Sequence, residues 1–269
     1  MQVGCVTGAG IAMLAVLVGT AHAGGLDDDA GRAARWREVR TALFGSAAFV
    51  PGEPLIAIDA PARALDASLV PITLTLKTPG QVKALDLVID DNPAPHAAHL
   101  VFGPGVDASA VTLRVRIDGY TNLHAVATLN DGRLAEVARF IKASGGCSAP
   151  IGVSDEQAMA GMGMMKVRFN PAVAGPAMTT TLMIKHPNFS GMQMNQITRL
   201  YTPARFVQRV TVTQGGRSVL ALDGDISLSS DPVIGFTLVP QGTGPMSVVV
   251  TDNQNGRWVR TFDLPGRTG

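Results

Sequence analysis

The sequence predicts a mainly β protein, built as two β-sandwich domains in tandem behind one short helix. Three observations predict it. After Pro51-Gly52 the chain breaks into short apolar or alternating runs of strand size. Pro, Gly, Asn and Asp punctuate those runs at the spacing of a sandwich. The length of 269 residues exceeds the roughly 150 residues of an ordinary domain, so two cores are expected, with the break near Cys147.

Taken in order, Gly8 to Thr20 is small and apolar and leads into Ala21-His22-Ala23, an A-x-A cleavage site. Residues 1–23 are therefore expected to be a signal peptide cleaved after Ala23, and the mature protein to be periplasmic. No Lys or Arg precedes Arg32, which departs from the usual basic start. The apolar run is shorter than the ~20 residues that span a bilayer, so no membrane anchor is expected. Cys5 precedes that run, which is the wrong order for a lipoprotein.

Gly24 to Asp29 is a polar leader. From Ala30 to Phe44, the pattern Ala33, Trp36, Val39, Arg40 and Leu43 fits an amphipathic helix with Trp36 and Leu43 on its apolar side. Residues 30–150 form the first domain, with strands expected at Leu55–Ile58, Val70–Leu76, Ala84–Ile89, Ala98–Phe102, Val111–Ile117 and Thr121–Leu129. Asn130-Asp131-Gly132 predicts a hairpin, because Asp-Gly accepts positive φ. Leu134 to Ala143 also fits one face of a helix, but the hairpin before it favours a strand. Residues 151–164 read as a Met- and Gly-rich linker. In residues 165–269, strands are expected at Lys166–Phe169, Met178–Ile184, Phe206–Thr213, Ser218–Leu222, Val233–Val239, Met246–Thr251 and Arg257–Leu264. Seven short strands in about a hundred residues is what an immunoglobulin-like sandwich needs.

A formal net charge of +1 with 16% charged residues argues against nucleic acid or an anionic membrane as partner. Once Cys5 leaves with the signal peptide, Cys147 has no intramolecular partner. An odd cysteine in an oxidising compartment is a reactive thiol or an intermolecular bridge, so a Cys147-linked dimer is one expectation. The plain alternative is an inert cysteine in a core. Gly145-Gly146 before it and Pro150 after it instead describe an exposed loop.

Other candidates are thinner. His96 and His99 have a His-x-x-His spacing, but Pro93 and Pro95 make the segment extended and no carboxylate cluster accompanies it, so no metal is expected. Met159, Met162, Met164 and Met165 offer soft thioethers for Cu(I), against the plainer reading of adaptable apolar packing. Asp90-Asp91 and the carboxylates from Asp225 to Asp231 read as turn formers. A Cys-His dyad would need His124 or His186 beside Cys147, which only folding could supply. Arg139 and Lys142, near in sequence, are expected to favour the thiolate and to welcome an anionic adduct. No phosphate loop, Rossmann fingerprint or nucleophile elbow is present.

Ala143-Ser144-Gly145-Gly146-Cys147 at the end of a β domain resembles the Gly-Gly-Cys-Gly-Gly arm of SoxY, the sulfur-carrier subunit of periplasmic thiosulfate oxidation. Met165-Lys166-Val167-Arg168, Ile184-Lys185-His186-Pro187 and the stretch Asp231-Pro232 to Phe236 resemble its partner SoxZ. Ser144-Gly145-Gly146-Cys147-Ser148-Ala149-Pro150 and His186-Pro187-Asn188-Phe189-Ser190-Gly191 are similar to motifs of fused SoxYZ-like carriers associated with quinoprotein dehydrogenases. The likeness runs from Trp36 to Leu264.

The resemblance implies a non-catalytic carrier without cofactor. Cys147 would be the attachment point of a sulfur intermediate and Gly145 and Gly146 its flexible neck. Periplasmic sulfur-oxidation enzymes or a quinoprotein dehydrogenase would be partners. Ser148-Ala149-Pro150 replaces the two closing glycines of SoxY, so a free tail becomes a loop tethered at both ends. An accessory protein docking a dehydrogenase without covalent cargo is the alternative, and an independent thiol enzyme a third reading. By analogy with the subunit pair, the two sandwiches are expected to pack together with the loop at their seam, each burying an apolar sheet face.

Overall fold

The computed structural model describes Met1 and residues 29–196 and 198–266. Apart from Met1, the expected signal peptide, with Cys5 and the cleavage after Ala23, lies outside the described residues. Among the described residues, no helix is long and apolar enough to cross a membrane.

Helix α1 spans Asp29–Phe44. Eight strands follow in the first half: β1 (Phe49–Pro51), β2 (Ile56–Asp59), β3 (Val70–Leu76), β4 (Val82–Ile89), β5 (His96–Phe102), β6 (Val106–Val115), β7 (Thr121–Leu129) and β8 (Leu134–Ile141). A short helix α2 (Asp155–Met159) precedes seven more: β9 (Met165–Pro171), β10 (Met178–Ile184), β11 (Val207–Gln214), β12 (Arg217–Gly224), β13 (Val233–Leu238), β14 (Met246–Asp252) and β15 (Arg257–Phe262). Every strand expected from the sequence is present within a few residues, and the segment after the Asp-Gly turn is a strand. The three-residue β1, which pairs parallel with β8, was not expected.

The strands form two sheets. One has nine in the order β1-β8-β7-β4-β5-β12-β11-β14-β15, and the other six in the order β2-β3-β6-β13-β10-β9. Each half is thus a two-sheet, immunoglobulin-like sandwich, the second with four strands facing three. The halves do not meet face on face. They join edge to edge, β5 to β12 and β6 to β13, so both sheets run unbroken across the molecule. Unpaired strand edges leave backbone groups unsatisfied, and this joint satisfies them for both halves.

The joint needs close backbone approach. A Cβ on Gly103 would lie 2.2 Å from the Ser218 carbonyl oxygen, so only glycine fits there. Past the strand ends the seam continues as a polar network: Arg116 N donates to the Ser227 carbonyl at 2.8 Å, and Ser229 N to the Arg114 carbonyl at 3.0 Å. Asn92 Nδ2 donates to the Arg116 carbonyl at 2.7 Å.

One hydrophobic core fills the space between the sheets and takes side chains from both halves, including Leu74, Val115 and Ile117 from the first and Leu182, Val212 and Phe236 from the second. At ~1.5–3 kcal/mol for each large apolar side chain fully buried, this shared core and the paired edges bind the halves into one body. A smaller cluster of Trp36, Val88, Val126 and Leu134 fixes α1 on the outer face of the nine-stranded sheet.

The segment 151–164 is ordered. Ser154 caps α2 with a capping box, Asp155 Oδ2 accepts from Thr202 Oγ1 at 3.0 Å, and Gly163 N donates to the Lys185 carbonyl at 2.8 Å. The four methionines differ in burial: Met165 enters the core at the start of β9, Met159 of α2 and Met162 are half-buried, and Met164 is exposed.

Candidate functional site

Cys147 is at the seam, and it is buried, with 0% of its surface exposed. This corrects the expectation of an exposed thiol on a mobile loop. Of the glycines before it, Gly146 serves close approach and Gly145 a positive φ. Gly146 N donates to the Ile117 carbonyl at 3.0 Å, and a Cβ there would stand 2.0 Å from the Ala67 carbonyl oxygen. Gly145, at φ +73°, donates to the Asp118 carbonyl at 2.8 Å. The neck is therefore seated on the strip that follows β6.

Both halves hold the cysteine itself. Cys147 N donates to Asp118 Oδ1 at 3.2 Å, while the Ser190 hydroxyl donates to the Cys147 carbonyl. Gln193 Nε2 donates to the Ala149 carbonyl at 3.3 Å, and Gln193 Oε1 accepts from Ser190 N at 3.0 Å. The two sequence motifs singled out above thus meet.

The rest of the second motif builds this dock. Asn188, at φ +45°, bridges the Leu228 carbonyl through Nδ2 (3.2 Å) and Val207 N through Oδ1 (3.0 Å). The Pro187 carbonyl accepts from Arg116 Nη2 at 3.4 Å.

Arg116 is the residue that sequence reasoning missed. It is 1% exposed, yet among the described residues its guanidinium has only carbonyl partners: Leu228 at 2.6 Å and Ile226 at 3.2 Å from Nη1, and Pro187 from Nη2. Its Nε has no hydrogen-bond partner among them. A buried charge without a counter-ion is costly, and burial lowers the Arg116 pKa to about 10 while the neighbouring Cys147 opposes the shift. Burial, with the Asp118 charge adding to it, pushes the Cys147 thiol up to about 12, against the pull of Arg116. The resting group is a thiol. Arg139 and Lys142 do not supply the local charge: Arg139 Nη2 donates to the Ala60 carbonyl at 3.2 Å, and Lys142 is exposed.

Neither candidate base reaches the thiol. His124 bonds Glu136 Oε1 through Nδ1 at 2.7 Å and Asp90 Oδ2 through Nε2 at 3.1 Å, stacked 3.7 Å from Trp36 under α1. His186 has Nδ1 accepting from Asn188 N at 3.1 Å and Nε2 at 3.5 Å from Asp252, and burial lowers its pKa. With its thiol enclosed, Cys147 also offers no surface for the expected intermolecular disulfide in this arrangement. A cavity of about 440 Å³ opens beside the segment after the cysteine, bordered by Pro150, Ile151, Phe189, Gln193 and Met194.

Two family models match the chain: "Sulfur oxidation protein SoxY" over residues 40–147 and "Sulphur oxidation protein SoxZ" over residues 165–263. The chain is a fused SoxYZ-like protein. The SoxY match ends on Cys147, and Ser190 and Gln193, which hold that cysteine, belong to the SoxZ match.

Among solved structures, the sulfur carrier protein SoxY from Chlorobium limicola f thiosulfatophilum is 27% identical over 42% of this chain and 96% of its own, with a TM-score of 0.36. A superoxide reductase (neelaredoxin) from Ignicoccus hospitalis is 18% identical over 33% of this chain and 79% of its own, with a TM-score of 0.30. Likenesses of that size carry no functional argument. No curated protein matches the chain.

Proposed function

We propose that this protein is a periplasmic, non-catalytic carrier that holds a sulfur-containing intermediate covalently on Cys147 and presents it to sulfur-oxidation enzymes. The observation that supports this reading best is that the SoxY match ends on Cys147 while SoxZ residues Ser190 and Gln193 clasp its loop. Neither His124 nor His186 is placed to activate the thiol, which suits a carrier and not an enzyme.

The chemistry with thiosulfate shows what partners must supply. Joining a Cys147 thiol to thiosulfate as a disulfide-linked sulfonate forms one S–S bond and releases a proton and two electrons. A loading enzyme must accept those electrons. The product is anionic, and Arg116 places a buried guanidinium beside the sulfur that bears it.

The closed arrangement is then the resting form. Loading requires release of the bonds from Ser190, Asp118 and Gln193, at roughly 2–4 kcal/mol in total, which leaves an open form populated at about 0.1–3%. A buried thiol with a raised pKa resists adventitious oxidation until a partner opens the loop.

The enclosure of Cys147 also favours a second reading, an accessory protein for a periplasmic quinoprotein dehydrogenase in which the cysteine is only structural. One experiment separates the two. The protein is incubated with thiosulfate and a cognate loading oxidase, and its intact mass is read with and without reductant. The carrier reading expects a reductant-labile adduct that Cys147→Ser abolishes. Bare thiol under every donor, with dehydrogenase capture indifferent to Cys147→Ser, would support the accessory reading.

A further inference from the structure

We propose that Asp86, His96 and His99 form a site for a divalent transition-metal ion on the outer face of the nine-stranded sheet. Three residues apart on a regular strand, His96 and His99 would point to opposite faces. Between β4 and β5 the register shifts: Asp86 pairs with His99 and Leu87 with Ala98, but Val88 pairs with His96, so Ala97 is an extra residue. A bulge of this kind re-aims the side chains beyond it. Ala97 and Ala98 are both buried and both histidines are partly exposed, so the imidazoles share one face with Asp86.

The two rings converge on one oxygen. His96 Nε2 lies 2.8 Å and His99 Nδ1 2.7 Å from Asp86 Oδ1, and the three ligand atoms are within 4.8 Å of one another. Ligands around a tetrahedral ion with bonds of ~2.0–2.1 Å stand about 3.4 Å apart, so side-chain shifts alone would admit one. Asp86 is buried at 4% exposure and fixes the floor of the site, while the partly exposed rings leave an approach from solvent. Two imidazoles and a carboxylate suit Zn²⁺ or Cu²⁺ rather than Mg²⁺ or Ca²⁺, with the remaining position open to water or an exogenous ligand.

The site also borders the seam. Across it, Asp223 of β12 pairs with His99, adding negative charge on the SoxZ side, and is itself held by Arg209 at 3.3 Å. An ion here would bridge β4 and β5 on the strand that carries the joint between halves.

The test is calorimetric titration of ZnCl2 into the full, tag-free chain after chelator treatment. Cys147→Ser is in the background so that the thiol takes no part. One equivalent is expected to bind, and His96→Gln and His99→Gln are each expected to weaken binding at least ~10-fold while retaining the parent melting temperature in chelator. Absence of saturable binding, or affinity unchanged in both glutamine variants, would overturn the proposal. Neither result bears on carriage by Cys147.

Discussion

Ser190 of the SoxZ half donates its hydroxyl to the carbonyl of Cys147, the last residue of the SoxY match. This one bond makes the second domain a latch on the cysteine of the first. A loop that follows from Gly-Gly-Cys in sequence is thereby a docked segment, and its release becomes the step on which access to the thiol depends.

Ser190→Ala removes the latch bond. At about 1 kcal/mol for a net hydrogen bond, the open population should rise ~5-fold, and with it the rate of Cys147 alkylation by iodoacetamide under native conditions. An unchanged rate would show that the loop opens without breaking this contact.

Gly146→Ala should prevent docking. Its Cβ would meet the backbone of Ala67 at 2.0 Å, where no flexible side chain can yield. We expect a loss of roughly 1–3 kcal/mol in denaturant unfolding and a thiol that reacts as an exposed one. A stable variant with a protected thiol would contradict the docked loop.

Titration of the thiol gives a third check. Burial pushes the Cys147 pKa up to about 12 from 9.0, so between those values the unfolded chain holds fewer protons than the native one, and stability falls as the pH rises through that window. Native alkylation should show no thiolate inflection near pH 9.0, and the guanidinium-unfolded chain should show it.

The His124 cluster predicts a slope nearer neutrality. Burial pulls the His124 pKa down, but hydrogen bonds and charges from Asp90 and Glu136 outweigh it and hold it above 6.5. A raised histidine stabilises fully below its unfolded pKa, and that contribution fades as the pH rises through the folded value. His99, raised chiefly by its bond to Asp86, has the same sign. His186, lowered by burial, has the opposite one, so its penalty enters as the pH falls below 6.5. His124→Leu should therefore flatten the loss of stability on the alkaline side. It should also cost about 3 kcal/mol at pH ~6, because it strands the buried Asp90 carboxylate. Urea unfolding from pH ~5 to ~9 checks both.

Much of the fold was legible because strands of period two and Gly, Asn and Asp turns are local signals. The joint between halves was not, since pairing of β5 with β12 and β6 with β13 depends on edges more than a hundred residues apart. Gly145 and Gly146 read as freedom, whereas Gly146 is there because backbone passes too close for a Cβ. Arg139 and Lys142 are the basic residues nearest Cys147 in sequence. The cation that acts on the thiol is Arg116, brought by the chain just past β6 and visible in sequence only as one more basic residue in an apolar run. His96 and His99 looked unsupported because neither the bulge at Ala97 nor the cross-strand Asp86 leaves a mark in spacing.

A carrier must bear cargo on Cys147. The most direct test is the intact mass of the protein purified without reductant from cells grown on thiosulfate, measured before and after reduction. A sulfur adduct confined to Cys147, removed by reductant and missing from Cys147→Ser, is the expected result. An unmodified thiol in that material, with the loading enzymes present and active, would contradict it.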